Sequence, residues 1–281
     1  MARITKNDIY TSYGIEFNGK QIRSPFGTWI SPLLVDGNSK VGKKAKTWSI
    51  MHGNEEWTAE DFKHAETREV FTACGVDSVK GSCPCHCDGC YCDSGCFVQY
   101  HQSYTSNLFK LILARMFLDW TKRAIIAQIK ADKITQVRIH AAGDFFSVEY
   151  INAWHEIISE CKDETIFWTY TKNRDAEKAF SDLGNCFLVP SITPYGFNFG
   201  TCAELLSMYA RLTEKGYKVH ICACGTEYQT HCCDCNTGCK AVGIECDFVL
   251  FIKHSTKDYK AGKNDPTEFE AVKDIIRSQK N

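Results

Sequence analysis

The stretch Gln136-Val137-Arg138-Ile139-His140-Ala141-Ala142-Gly143-Asp144-Phe145-Phe146-Ser147 joins a short strand pattern to a turn that carries a glycine and an acid. Gln136 to Ala141 has the composition of a buried strand, and Val148 to Glu160 follows with the spacing of a helix. The same alternation repeats down the chain. Thr165 to Tyr170 reads as a strand, Asp175 to Leu183 as a helix, Cys186 to Pro190 as a strand and Cys202 to Lys215 as a helix. Lys218 to Ile221 and Phe248 to Ile252 complete the series of strands. Strands separated by single helices imply right-handed crossovers and a parallel sheet. The expected fold class is therefore α/β: a partial (βα) barrel of parallel strands, with cysteine-rich loops at the C-terminal strand ends and a small N-terminal β region. Upstream, Thr105 or Ser106 caps one long helix with Leu108, Ile112, Met116, Trp120, Ile125 and Ile129 on its apolar face. Residues 1–72 are expected to form an N-terminal segment with a hairpin, Ile15-Glu16-Phe17 and Lys20-Gln21-Ile22 around Asn18-Gly19. Residues 73–254 would form the barrel, with a cysteine-rich insert at 222–246, and residues 255–281 a tail.

Polar and reactive residues gather where these strands end. Ala142-Gly143-Asp144 follows the first strand of the series, Thr171-Lys172-Asn173 the second and Ser191 the head of the third turn. Cys222-Ala223-Cys224 follows the fourth and Lys253-His254 the last. Parallel α/β folds build their sites on that face. His140 and His254 are accordingly candidate proton donors or substrate contacts, and Lys172 a candidate for an anionic group. Asp144 has two readings, as a helix N-cap or as a ligand-binding carboxylate.

The densest chemistry is Ser82-Cys83-Pro84-Cys85-His86-Cys87-Asp88-Gly89-Cys90-Tyr91-Cys92-Asp93-Ser94-Gly95-Cys96, too poor in apolar side chains to be core. The chain has 17 cysteines in 281 residues, and Met1 to Asp8 contains no apolar signal-peptide region. The expected location is the cytoplasm, where thiols stay reduced and metal ligation accounts for them better than disulfides. Cys83, Cys87 and Cys90 have the spacing C-x3-C-x2-C, which can hold three irons of a [4Fe-4S] cluster and leave the fourth open to a small chelating ligand. A closed four-thiolate zinc site is the other reading of such a loop. A second group, Cys222, Cys224, Cys232, Cys233, Cys235, Cys239 and Cys246, of which Cys224, Cys232, Cys235, Cys239 and Cys246 are the candidate ligands, is enough for a second centre, either an auxiliary cluster or a zinc knuckle. Cys74, Cys161, Cys186 and Cys202 are isolated and expected to be buried as small hydrophobes. The apolar stretch Leu108 to Trp120 is interrupted by Lys110, Arg115 and Asp119, so no membrane partner is expected.

Ser82-Cys83-Pro84 through Cys90-Tyr91, then Arg138 to Ser147 with Tyr150 and Trp154, then Phe167 to Lys172, resemble the phage "gene product eighty-eight" family, itself similar to radical S-adenosylmethionine (SAM) proteins. The resemblance covers roughly residues 80 to 255. It implies a [4Fe-4S] cluster on Cys83, Cys87 and Cys90, and SAM bound with Gly143 and Asp144 against its methionyl amino group. Tyr91 and Ser191 are assigned to the same cofactor. Radical SAM loops usually carry an aromatic residue just before the third cysteine; here Gly89 holds that position and Tyr91 comes after it. Cys85, Cys92 and Cys96 are additional to the pattern.

The function these observations imply is reductive cleavage of SAM to a 5′-deoxyadenosyl radical that acts on an unknown substrate, with a flavodoxin or ferredoxin as electron donor. Two alternatives are a zinc-stabilised nucleic-acid-binding protein and an iron-sulfur electron carrier. A formal charge of -1 argues against the first, since it gives no general pull toward nucleic acid. The polar strand ends argue against the second, because a carrier has no use for them.

Overall fold

The computed structural model describes residues 4–37, 42–53, 55–83, 105–171, 173–190, 198–199, 201–222, 248–252 and 266–279. In chain order the elements are α1 (Lys6–Ser12), β1 (Ile22–Arg23), β2 (Trp29–Ile30), β3 (Val35–Asp36), β4 (Lys46–Trp48), β5 (Glu56–Thr58), α2 (Ala65–Cys74) and β6 (Ser78–Lys80). Then come α3 (Thr105–Met116), α4 (Leu118–Asp132), β7 (Gln136–Ile139), α5 (Val148–Glu160), β8 (Ile166–Thr171), α6 (Arg174–Ala179) and β9 (Cys186–Pro190). The last are β10 (Asn198–Phe199), α7 (Cys202–Glu214), β11 (Val219–Ile221), β12 (Phe248–Ile252) and α8 (Pro266–Ser278).

The principal sheet has the order β3-β4-β7-β8-β9. β4, β7, β8 and β9 are parallel, with Trp48 opposite Ile139 and Ile139 opposite Thr169. β3 runs antiparallel to β4 and forms one edge, which makes this a mixed sheet. No closed barrel forms among the described residues. Where one continuing series of strands was expected, β11 and β12 instead belong to a separate parallel sheet of order β10-β12-β11.

Two local expectations also change. The Asn18-Gly19 turn is present, with Gly19 at φ 94° and Asn18 N–H on Gln21 O at 3.0 Å, but the hairpin shrinks to a single Phe17–Ile22 bridge. Ile22 instead pairs with Ile30. The long helix is two helices, because Phe117 leaves helical geometry at φ -134°, ψ 50°. Ile112, Ile125 and Ile129 stay in the core, while the break turns Met116 outward to 51% exposure.

Residues 1–72 contribute to the principal sheet and its core. β3 and β4 belong to the principal sheet, and Tyr10, Ile15, Ile22, Leu33 and Leu34 share one core with Ile112, Ile125, Ile139, Trp154 and Phe167. Buried Gln128 on α4 acts as a stand-in for a strand, accepting from Leu34 N–H and donating to Leu34 O, both at 2.8 Å. A second core joins Leu205, Leu212, Ile221 and Leu250 to Val272 and Ile276 of α8, so the expected tail contributes a packed helix. Cys74, Cys161 and Cys202 are buried as expected, and Cys186 is partly so. Burial pushes the Cys74 thiol up to about 11 and the Cys161 thiol to about 12, values of inert thiols. No described helix is long and apolar enough to cross a membrane.

Candidate functional site

Beyond their paired residues β4 and β7 stay together: Ala141 N–H donates to Trp48 O at 3.3 Å and Ile50 N–H to Ala142 O at 3.1 Å. The segment after β4 thus lies beside the turn after β7. The chain entering the thiol run is laid onto that segment. Gly81 N–H donates to Glu55 O at 2.9 Å, Ser82 N–H to Met51 O at 3.3 Å and Cys83 N–H to Gly53 O at 2.7 Å. Ser82 is fully buried; its Oγ donates to Met51 O at 2.6 Å and accepts from Asp144 N–H at 3.2 Å. One hydroxyl therefore ties the residue before the first thiol to the Gly143-Asp144 turn.

Gly143 has φ +87°, and a Cβ there would lie 2.5 Å from Ile50 Cγ1 and 2.8 Å from Ser82 Oγ. Its missing side chain thus makes room for Ile50 and the serine, where the sequence pointed to close approach by a ligand. Asp144 is 7% exposed, and Ser147, not Asp144, caps α5 by accepting from Tyr150 N–H. Asp144 Oδ1 accepts from Phe145 N–H at 2.8 Å and from the Thr171 hydroxyl. Thr171 Oγ1 in turn accepts from Asn173 N–H at 2.9 Å, and Asn173 caps α6. The carboxylate is held by two strand ends at once.

Arg115, at the end of α3, fastens the same corner from outside. Its Nε donates to Lys80 O at 2.7 Å and an Nη to Gly81 O at 2.6 Å, while the guanidinium sits 4.1 Å from the Phe146 ring centroid. Phe146 stacks on Tyr150 at 4.3 Å. The strand entering the thiols and the aromatic turn after Asp144 are so clamped by one side chain.

His140 lies inside, 4% exposed, with its ring against Phe145, Tyr150 and Trp154. Its Nε2 is 3.0 Å from the Tyr150 hydroxyl, which also accepts from Trp48 Nε1 at 2.7 Å, and its Nδ1 has no hydrogen-bond partner among the described residues. Burial pushes the imidazole down to about 3 from 6.5, so the ring is neutral near neutral pH. In the unfolded chain it protonates at its ordinary value, and between the two values the unfolded state binds one more proton. Folding stability is therefore expected to fall as pH drops, by about 1.4 kcal/mol per pH unit from this residue. His140 has φ 57°, which asparagine tolerates, so His140→Asn is the suitable probe. The advantage of wild type over His140→Asn in chemical denaturation should shrink from about pH 7 to about pH 4; parallel profiles would contradict this account.

Of the assigned site residues, the structure brings Cys83, Gly143 and Asp144 together and places His140 in the core next to them. Lys172, His254, Tyr91, Ser191, Cys87, Cys90, Cys224, Cys232, Cys235, Cys239 and Cys246 lie outside the described residues. Among the described residues no group of three or more His, Cys, Asp or Glu is arranged to hold a metal. Sequence reasoning missed Ser82, Arg115, Trp48 and Tyr150 as structural partners. The signal for Arg115 was a charge inside an otherwise apolar stretch.

A family model described as gene product 88 matches residues 33–192, from Leu33 just before β3 to the end of β9, and so includes both Ser82-Cys83 and Gly143-Asp144. Comparisons with curated proteins and with solved structures give no match. With more than half of its length matched, the chain belongs to the gene product 88 family.

Proposed function

We propose that the protein is an iron-sulfur enzyme of the radical SAM type acting on a substrate yet to be identified. The observation that carries this reading is the Ser82 hydroxyl at 3.2 Å from Asp144 N, which sets the first thiol of the C-x3-C-x2-C run beside the glycine-acid turn. Cys83, Cys87 and Cys90 would hold a [4Fe-4S] cluster, and Asp144 would meet the amino group of SAM. Of the donor set, the described residues supply a partly exposed thiol that opens the run and an oriented carboxylate at the neighbouring strand end. The chemistry such a cluster supplies when bound is one-electron cleavage of SAM into methionine and a 5′-deoxyadenosyl radical.

The chain's own residues do the positioning. Ser82 and Arg115 fix the path into the thiol run, and Thr171 and the Phe145 amide orient the Asp144 carboxylate toward one ligand geometry. The aromatic packing of Trp48, Phe145, Tyr150 and Trp154 excludes water beneath the site. In this reading β4, β7, β8 and β9 are the parallel part of a partial βα barrel whose C-terminal ends hold the cofactors. The second cysteine group, Cys224 to Cys246, falls outside the family match and would bind an auxiliary cluster. The electron would come from a flavodoxin or ferredoxin in the cytoplasm.

Protein prepared without oxygen is expected to be brown and to contain iron and acid-labile sulfide for more than one cluster. Replacing Cys232, Cys235 or Cys239 with Ala should remove one centre and leave the other. Stoichiometric zinc without sulfide would overturn the reading in favour of a zinc module, and loss of all metal from a folded variant would overturn the two-centre part of it.

A further inference from the structure

The side chains of the principal sheet divide between two faces. Trp48, Ile139 and Phe167 lie on one, in the core they share with Ile112 of α3, Ile125 of α4 and Trp154 of α5. Arg138 lies on the other, since successive residues of a strand point to opposite sides. The register puts Arg138 opposite Trp168 and Trp168 opposite Phe187, with Tyr170 two residues further along β8 on the same side. Among the described residues none of these four joins either hydrophobic core. A parallel sheet is normally covered on both faces. This face is partly open: Val35 and Ile166, which share it by register, are 45% and 41% exposed.

Arg138 is the unusual member of the group. It is half-buried, its Nε is enclosed without a hydrogen-bond partner, and it makes no ion pair among the described residues. The contact it does make is with a ring: its guanidinium carbon lies 5.4 Å from the ring centroid of half-buried Tyr170. An arginine keeps its charge at any pH the fold survives, and an enclosed N–H left without an acceptor is costly. An aromatic ring steadies the cation but supplies no oxygen acceptor to the N–H groups of its fork. A carboxylate or phosphate supplies two, in matching geometry. The place is next to the glycine-acid turn, because Thr171, which holds the Asp144 carboxylate, directly follows Tyr170.

We propose that this face of the sheet binds a small aromatic oxyanion, with Arg138 on its carboxylate or phosphate and its ring against Tyr170 and Phe187. The binding needs no iron, so it is tested in metal-free, full-length protein and its outcome is separate from that of the iron-sulfur reading. Phenyl phosphate and benzoate are the probes, titrated calorimetrically at constant ionic strength. Saturable binding of at least one is expected, and which one binds tells phosphate from carboxylate. Arg138→Met should weaken that binding by about tenfold or more, as loss of a charge-assisted bidentate pair does, and Arg138→Lys should fall between the two. Tyr170→Leu should weaken it by about threefold or more through loss of the ring that steadies the cation. Phenol lacks the charge and inorganic phosphate or acetate the ring, so each should bind more weakly than the probe it resembles. Without ligand, Arg138→Met should melt at or above the wild-type temperature, because a charge with no ion pair has been replaced by an apolar chain.

Wild-type protein that binds neither phenyl phosphate nor benzoate would overturn the proposal. So would binding that Arg138→Met or Tyr170→Leu leaves unchanged, which would put the anion elsewhere on the chain. Equal binding of phenol would remove the role of the charge, and equal binding of the ring-free anion that of the aromatic wall; either contradicts the assignment. A Met variant that fails to fold, or melts lower than wild type without ligand, would overturn it by giving Arg138 a structural part.

Discussion

Reconstituted, reduced protein is expected to form methionine and 5′-deoxyadenosine from SAM slowly even without substrate, and Cys83→Ala, Cys87→Ala and Cys90→Ala are each expected to abolish this. Cys85→Ala and Cys92→Ala should leave it intact. The contrast follows from C-x3-C-x2-C spacing and from the place of Cys83, whose amide is fixed on Gly53 O beside the Gly143-Asp144 turn. Asp144→Asn should weaken SAM binding by about 1.5–3 kcal/mol, the range for a hydrogen bond to a charged group. Here the two bonds that Oδ1 accepts, from Phe145 N–H and Thr171 Oγ1, hold the side chain in the same orientation in both proteins. Chromatographic detection of 5′-deoxyadenosine and the change of the cluster spectrum on adding SAM are the two measurements. Fully loaded protein that shows neither response would remove SAM from the assignment, and a Cys85 variant as inactive as the Cys83 variant would reassign the ligands.

Gly81→Ala is expected to be the most damaging single methyl group in the site. A Cβ at Gly81 would fall inside the Gly53 carbonyl oxygen, 2.5 Å from Gly53 C and 2.6 Å from His52 O. These are backbone atoms, so no rotamer change relieves the clash. Overpacking of this kind costs about 1–3 kcal/mol or more. The displacement would also pull Gly81 O from Arg115 and Cys83 from Gly53, so iron content should fall together with the denaturation midpoint. Gly184→Ala is the control, because nothing lies within 4 Å of a Cβ there. If both variants unfold at the same denaturant concentration and both bind metal like wild type, the tight seating of the thiol run is not what holds it.

The strands and helices of residues 136–252 were largely legible because each buries a short apolar run between clear turn residues. Gln136–Ile139, Val148–Glu160, Cys186–Pro190 and Phe248–Ile252 match their expected spans within two residues. β4 was not legible. Lys46-Thr47-Trp48 is three residues long, and what makes it a strand is pairing with β7, about ninety positions away. The split at Phe117 escaped for a related reason, since its apolar side chain continues the helical stripe and only its backbone departs from it. At the site, Cys83 and Asp144 could be singled out by residue type, but a serine next to a cysteine announces no bond to a glycine-acid turn sixty residues on. Ser82 acquires its part from tertiary placement alone.

The pairing of β4 with β7 has a consequence for biosynthesis. The whole thiol run lies inside the loop that this pairing closes, so the sheet on which Ser82 and Cys83 rest is incomplete until Ile139 has left the ribosome. At about 5–20 residues per second, Cys83 emerges several seconds earlier. During that interval six neighbouring thiols precede the support that orders their entry, open to oxidants and to whichever thiophilic metal is most abundant. On the iron-sulfur reading proposed above, cluster assembly would be a post-translational step that waits on the long-range strand contact, and the outcome of expression under oxygen or excess zinc would depend on that delay.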